Sequence, residues 1–358
     1  MNKPVTAVQS MLNTVISEGK SRVRNVSAAE IERFISSQPG ITGPVVISNV
    51  RANAEMGASN GIVLFTAQYD DGSGKVTRDL VLRHAPGSET RLFYEYDLAR
   101  QFRVQRALKG TGVPVPEALW LDADGAHFGV PGYVMEMIRG TASHTSAFTR
   151  GPLVNATPED RETMLDNVMA ALVKIHGLDY AGLGLGDFVM NAPGATPLER
   201  SINWYWQTWD WINLPIHARM VPVRRWLLEN APSGTTGLTH GDSMLHNYLF
   251  NGTEVVAVLD WEMSTLGPAE VDLAVQCLGN EMFAAPVDSG LLQPPSQAEW
   301  LARYEKAGGR PAENFAYYKK YAVYFNIIAI EALLRHLPPD DRAAQNPLTD
   351  RYWAVLEA

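Results

Sequence analysis

The chain has 358 residues, enough for two lobes or two domains with apolar cores of their own. Its 46% hydrophobic and 19% charged content is that of an ordinary globular protein. The 30 basic and 39 acidic residues give a net charge of −9, which lacks the basic footprint of a nucleic-acid binder, and the single cysteine, Cys277, excludes an internal disulfide. The acidic balance leans weakly towards cationic substrates, although overall charge says little about one pocket. Residues 1–26 hold no apolar core of signal-peptide length, and the apolar stretch 321–334 is too short to span a bilayer. A cytoplasmic chain with no membrane and no nucleic-acid partner is expected; the oligomeric state is left open.

Residues 1–26 form an N-terminal extension. Ser27-x-x-Glu30 is a capping box ahead of Ile31, Phe34 and Ile35, so a helix starts at Ser27, and Pro39-Gly40 ends it. Strand-like runs follow at Val45–Ile47, Ile62–Phe65 and Leu80–Leu82, the last two parted by the Asp70–Gly74 turn. Between the first two runs, the turn Met56–Gly61 brings a backbone that can approach phosphate closely at Gly57, or is a plain hairpin turn. Arg83 ends the third strand. Helical spacing predicts a helix over 92–108, closed by Gly110 and Gly112. Leu119–Leu121 and Tyr133–Met135 read as two more strands. Together these make a small, β-rich lobe with one inserted helix.

Beyond Gly140 the pattern turns helical. Thr157-Pro158-Glu159-Asp160 places a cap, a first-turn proline and two acids ahead of an apolar stripe running to His176. His176 reads as a packed helix-end histidine rather than a ligand. The glycines of Leu183–Phe188 belong to a turn. Residues 198–214 hold Trp204, Trp206, Trp209 and Trp211, read as packing against several sides, with an aromatic substrate wall as the sharper alternative. Ser296-x-x-Glu299 is a second capping box, and 314–337 a long buried helix.

The chemistry concentrates between Leu238 and Glu262. Asn251-Gly252 lies between Tyr248–Phe250 and Val255–Leu259, the pattern of a hairpin with a type I′ turn. Pairing across that turn sets Asp260 opposite Ser243, beside Asp242, and brings Asn247 to the same end. Two carboxylates and an amide at one mouth suit Mg²⁺, which takes one or two protein oxygens and completes its octahedron with water and phosphate. Asn247 and Asp260 are the candidate metal ligands, and Asp242 is free to accept the proton of an attacking hydroxyl. Asp272 is expected to brace the loop or cap the next helix.

His240-Gly241-Asp242-x-x-x-x-Asn247, followed by Asp260-Trp261-Glu262, Leu266-Gly267 and Asp272-Leu273-Ala274, resembles the aminoglycoside phosphotransferase and choline kinase-like family. Val81-Leu82-Arg83 and the surrounding text are most similar to the kinase-like domain associated with acyl-CoA dehydrogenases. The resemblance covers about residues 27–337. It implies an α+β, protein kinase-like two-lobe fold with a small β-rich N-lobe (27–135), a hinge (136–140) and a larger, mostly helical C-lobe (141–358). It further implies ATP and Mg²⁺ as cofactors and a hydroxyl-bearing small molecule as substrate. In its terms Asp242 is the catalytic base, and Asn247 and Asp260 hold the metal. Gly57, Ser59 and Asn60 cradle phosphate, Arg83 holds phosphate where protein kinases use Lys, and backbone groups near Glu136 and Ile138 take adenine.

Two residues depart from the family's text. Pro268 stands where Asp is usual. Gln101 replaces the Glu that pairs with the strand cation; Gln can accept a hydrogen bond from Arg83, and Glu95, nearly two turns earlier on the expected helix, is a possible substitute. The enzyme reading is a small-molecule kinase, with a hydroxyacyl-CoA or related alcohol favoured as acceptor over aminoglycosides, sugars or choline-like alcohols. The competing reading is a nucleotide-binding pseudokinase or scaffold.

Overall fold

The computed structural model describes residues 25–52, 61–86, 91–212, 219–285, 287–335 and 346–357. The expected phosphate turn with Gly57, Ser59 and Asn60 lies outside them. The chain divides into two compact units, one made by the described residues up to Arg106 with Pro116–Ile138, the other by Ala107–Val115 with Arg139–Ala358.

The first unit is built on an antiparallel five-stranded sheet of order β1-β2-β3-β5-β4. Its strands are β1 (Thr42–Ala52), β2 (Gly61–Asp70), β3 (Lys75–His84), β4 (Ala118–Asp122) and β5 (Gly132–Glu136). Helix α1 (Ala28–Ser36) begins in the expected capping box: Ser27 N donates to Glu30 Oε2 at 2.9 Å and Glu30 N to Ser27 Oγ at 3.3 Å. Its Ile31, Phe34 and Ile35 pack with Val63, Phe65, Leu80, Leu82 and Phe128.

Helix α2 (Leu98–Leu108) starts six residues later than the apolar spacing suggests. Asp97 is the reason. Its Oδ1 accepts from Arg100 N at 2.9 Å, so it acts as an N-cap, and capping residues sit outside the helix they start. Glu95 therefore lies ahead of the helix, and its expected place two turns before Gln101 on the same helix is not realised.

The second unit is mostly helical. It contains β6 (Thr141–Ala142), α3 (Pro152–Asn155), α4 (Pro158–His176), α5 (Pro197–Ile212), α6 (Met220–Glu229) and β7 (Gly237–Thr239). It continues with β8 (Tyr248–Asn251), β9 (Glu254–Val258), β10 (Thr265–Gly267), α7 (Glu270–Met282), α8 (Gln297–Lys306), α9 (Phe315–Leu334) and α10 (Asn346–Glu357). Thr157 caps α4 with Pro158 at the first position, and Ser296 with Glu299 forms the second capping box. Arg303 of α8 pairs with Glu162 and Asp166 of α4, and Lys306 Nζ lies 2.7 Å from Asp166 Oδ2. Trp204 and Trp209 are buried, whereas Trp211 is 39% exposed. Burial on α5 thus follows the Leu198, Ser201/Ile202, Tyr205, Thr208/Trp209, Ile212 stripe. The tryptophans divide between core and surface and do not build one wall.

No described helix is long and apolar enough to cross a membrane.

Candidate active site

The hairpin forms, but not in the expected register. Asn251 pairs with Glu254 and Phe250 with Val255; a bulge then shifts the ladder to Leu249↔Ala257 and Tyr248↔Val258. The turn residues are therefore Gly252-Thr253. Only Gly252 of the pair has positive φ (59°), the pattern of a turn with glycine first rather than type I′. Asn167 Nδ2 holds this turn to α4 by donating to Thr253 O at 2.9 Å.

The expected pairing of Asp260 with Ser243 is also replaced. Leu259 N donates to Asn247 O at 2.8 Å. Asp260 thus follows directly on the residue that faces Asn247. The strand does not run on past Asn247, because Leu245–Asn247 coil into a short 3₁₀ turn. The bulge and this turn bring the amide and the second carboxylate nearer one another in the chain pairing than a regular ladder would.

The loop that carries Asp242 is fixed by buried polar contacts. Asp272, at the start of α7, is fully buried and accepts from His240 N and Gly241 N, both at 2.8 Å. His176 Nε2 donates to the same carboxylate at 2.9 Å, while its Nδ1 lies 2.8 Å from Tyr304 Oη. His176 is thus a packing histidine, as expected, and also a donor to the brace. Ser243 Oγ adds a bond to Asp272 O at 2.6 Å. Burial alone would raise the pKa of Asp272. The hydrogen bond and charge of His176, with the nearby His240, outweigh it and hold the carboxyl below its usual range.

A lowered folded pKa means the ionised form is favoured by folding. Its contribution to stability is present above the unfolded carboxylate pKa of about 3.9 and is lost as pH falls through the folded value. Asp272→Ala strips a buried acceptor from three donors and is expected to cost about 3–5 kcal/mol, read as a drop in denaturant midpoint. An unchanged midpoint would contradict the bracing role.

His240, to which the sequence assigns no separate task, joins the two halves of the site. Its Nδ1 accepts from Asp242 N at 3.2 Å, so the neutral ring carries its proton on Nε2, which donates to Leu259 O at 2.8 Å. The imidazole spans from the backbone of Asp242 to the residue before Asp260. Gly241 makes this loop possible. Its φ is 86°, and a Cβ there would sit 2.1 Å from Met263 O.

Asn247 is 4% exposed and fixed in orientation. Its Nδ2 donates to Asp242 O at 2.8 Å and to Asp242 Oδ2 at 3.0 Å. With the nitrogen so committed, the amide oxygen Oδ1 has no hydrogen-bond donor among the described residues and is the atom able to take a cation. Asp260 adopts the left-handed region, φ 64° and ψ 62°, as one of three described non-glycine residues with positive φ. Such backbone costs about 1–2 kcal/mol for most residues, less for Asp, and concentrates at functional sites. An Asn oxygen with one carboxylate fits Mg²⁺ bound largely by water and substrate phosphate. It does not fit a cage of protein ligands, and among the described residues no group of three His, Cys, Asp or Glu is placed to form one.

Below the loop, Met190, Tyr205, Gly241, Met263, Tyr321 and Phe325 line a small cavity of about 20 Å³. That is room for a water molecule and not for a ligand.

In the first unit, Arg83 is buried at the end of the central strand β3, opposite Ile62 of β2 and Tyr133 of β5. Gln101 is also buried, and its Oε1 has no hydrogen-bond partner among the described residues, so the bond from Arg83 that a glutamine allows is not formed. Glu136 N donates to Glu117 O and Met137 N to Asp79 O, which ties the end of β5 on both sides. Ile138 follows with no backbone hydrogen bond among the described residues.

In sequence and fold the chain is similar to known proteins. The chain belongs to the aminoglycoside phosphotransferase family, described as "Phosphotransferase enzyme family", whose sequence model matches residues 66–324. Mouse acyl-CoA dehydrogenase family member 10 is 30% identical over 282 residues, 74% of this chain and 25% of that protein, so the chain spans about a quarter of that relative's length. Among solved structures, a Ralstonia eutropha protein provisionally named an aminoglycoside phosphotransferase superposes with TM-score 0.68 at 24% identity, covering 93% of this chain and 99% of its own. A thermostable mutant of the aminoglycoside phosphotransferase APH(4)-Ia, in a ternary complex with AMP-PNP and hygromycin B, superposes with TM-score 0.56 at 16% identity, covering 92% of this chain and 98% of its own. The fold is therefore the α+β, protein kinase-like fold of these phosphotransferases.

Proposed function

We propose that the protein is an ATP- and Mg²⁺-dependent phosphotransferase that phosphorylates a hydroxyl group of a small molecule. One observation carries the reading. The Asn247 amide nitrogen is locked onto Asp242, which leaves its amide oxygen for a cation beside a partly exposed carboxylate, and Asp260 follows directly on Leu259, whose N–H donates to Asn247 O. Family membership supports the same chemistry, and a related fold holds AMP-PNP.

In this reading Asp242 orients the acceptor hydroxyl and receives its proton. Asn247 and Asp260 would hold Mg²⁺, which would supply positive charge to offset that of the phosphates. Arg83 steadies phosphate through its guanidinium. Backbone groups of Glu136 and Ile138 take adenine, for which an Ile138 backbone with no backbone hydrogen bond among the described residues is suited, and Gly57, Ser59 and Asn60 supply the phosphate turn. Positioning and charge do most of the work in such transfers.

The acceptor favoured is a hydroxyacyl thioester, because the mouse relative is named an acyl-CoA dehydrogenase and the match spans a quarter of it. A screen by ATP consumption should include hydroxyacyl-CoA thioesters, sugars, aminoglycosides and choline. Consumption dependent on a hydroxyacyl thioester, and lost in Asp242→Asn, is expected. A second reading, a nucleotide-binding scaffold, draws on the neutral Gln101 with its unbonded oxygen. ATP binding without consumption on any acceptor would favour it and contradict the enzyme.

A further inference from the structure

The C-terminal helix α10 brings a hydroxyl to the Asp242 loop that phosphoryl transfer as described leaves unused. Met244, two residues on from Asp242, packs on the last turn of α7: a Cβ at Gly279 would sit 2.6 Å from Met244 Cε. The same turn anchors α10, since Arg351 Nη1 donates to Met282 O at 3.1 Å. Tyr352, the next residue, thus belongs to the element that meets α7 beside the loop. Two further contacts fix α10 in place. The Arg219 guanidinium lies 4.2 Å over the Trp353 ring, and Lys320 Nζ donates to Leu356 O at 3.4 Å.

Three phenols lie in the field of Asp242: Tyr205, Tyr248 and Tyr352. Tyr248 Oη is sealed in the interior, where no solute reaches it. Tyr205 is stacked on Phe325, with centroids 4.8 Å apart and planes at 14°, and lines the water-sized cavity below the loop. Tyr352 differs from both. The residue is 2% exposed, yet its hydroxyl is not one of the sealed polar atoms and forms no hydrogen bond with the described residues. A packed ring whose O–H keeps solvent contact and lacks a protein partner is suited to meet a ligand. Burial, and then the charge of Asp242, raise its pKa, so the phenol is protonated at pH 7 and donates.

We propose that Tyr352 is an acceptor-binding residue, whose phenol donates a hydrogen bond to an uncharged oxygen next to the hydroxyl that Asp242 orients. This deepens the phosphotransferase reading and rests on Asp242 being the acceptor's base. The oxygen is uncharged because a carboxylate or phosphate at this point would face the Asp242 carboxylate. An ammonium group has no lone pair for the phenol to use. A thioester carbonyl or a sugar oxygen meets the requirement; the ammonium groups of an aminoglycoside do not.

A ring-fluorinated tyrosine is placed at position 352 of the full chain, loaded with Mg²⁺ and AMP-PNP. Its fluorine NMR signal is followed as hydroxybutyryl-CoA, glucose, kanamycin or choline is added, and ATP consumption by the unlabelled chain is measured on the same panel. The compound that drives consumption is expected to shift the signal. Tyr352→Phe keeps the ring and its packing. It is expected to raise KM for that compound about three- to tenfold, the size of one hydrogen bond. Its kcat, its KM for ATP and its melting temperature should change far less. Consumption driven by a compound that leaves the signal in place, or whose KM is unchanged in Tyr352→Phe, overturns the role of Tyr352 and leaves the kinase reading intact. A loss in Tyr352→Phe shared by melting temperature and both KM values marks packing alone and overturns it too. A shift without consumption upholds the contact and contradicts the enzyme. No shift and no consumption on any member of the panel contradicts both.

Discussion

Asp260→Asn is expected to lower turnover by about 10²-fold or more while leaving the melting temperature nearly unchanged. Asn keeps the size of Asp and tolerates its left-handed backbone, φ 64° and ψ 62°, so the turn survives. Only the charge is lost, and charge is what a metal ligand at a phosphate site supplies. Asp260→Ala should lose the same activity and in addition about 1 kcal/mol of stability, because Ala lacks the short polar side chain that eases this conformation. Rates of ATP consumption and thermal melts on the two variants separate chemistry from backbone. An Asp260→Asn protein with wild-type turnover would remove Asp260 from the site.

Gly241→Ala is expected to cost about 3 kcal/mol or more and to abolish activity. The added Cβ would lie 2.1 Å from Met263 O and 2.5 Å from Met263 C, both backbone atoms that cannot swing aside. The φ of 86° opposes any side chain as well. Relief requires the loop to move, and the loop holds Asp242 through Asp272 and His240. Gly252 is the control. Its φ is 59° but nothing lies within 4 Å, so Gly252→Ala should cost only the backbone term, about 1 kcal/mol. Denaturant midpoints of the two variants test the comparison; equal losses would refute the clash.

What could be seen in the sequence was local. Capping boxes at Ser27 and Ser296, the Thr157-Pro158 start of α4 and the alternating or continuous apolar runs of the sheet all depend on residues within a few positions. The register of the β8–β9 hairpin was not legible, because a bulge leaves no mark in a run such as Val255–Leu259. The late start of α2 had a signal, Asp97 three residues before Arg100, that apolar spacing outweighs when read alone. The bracing of the loop by Asp272 was anticipated from its position after Leu266-Gly267. The His176–Asp272 bond was not, since 96 residues separate the two. The buried Gln101 oxygen shows the limit of reading by position, since the place on α2 is filled but the bond from Arg83 that a glutamine allows is not made.

The central claim is that Asn247 and Asp260 hold one divalent cation next to Asp242. Calorimetric titration of Mn²⁺, a Mg²⁺ surrogate, into the AMP-PNP-loaded protein tests it without any acceptor. The expected result is one tight cation whose affinity falls about tenfold or more in Asn247→Ala and again in Asp260→Ala. Unchanged Mn²⁺ affinity in both variants would contradict the account.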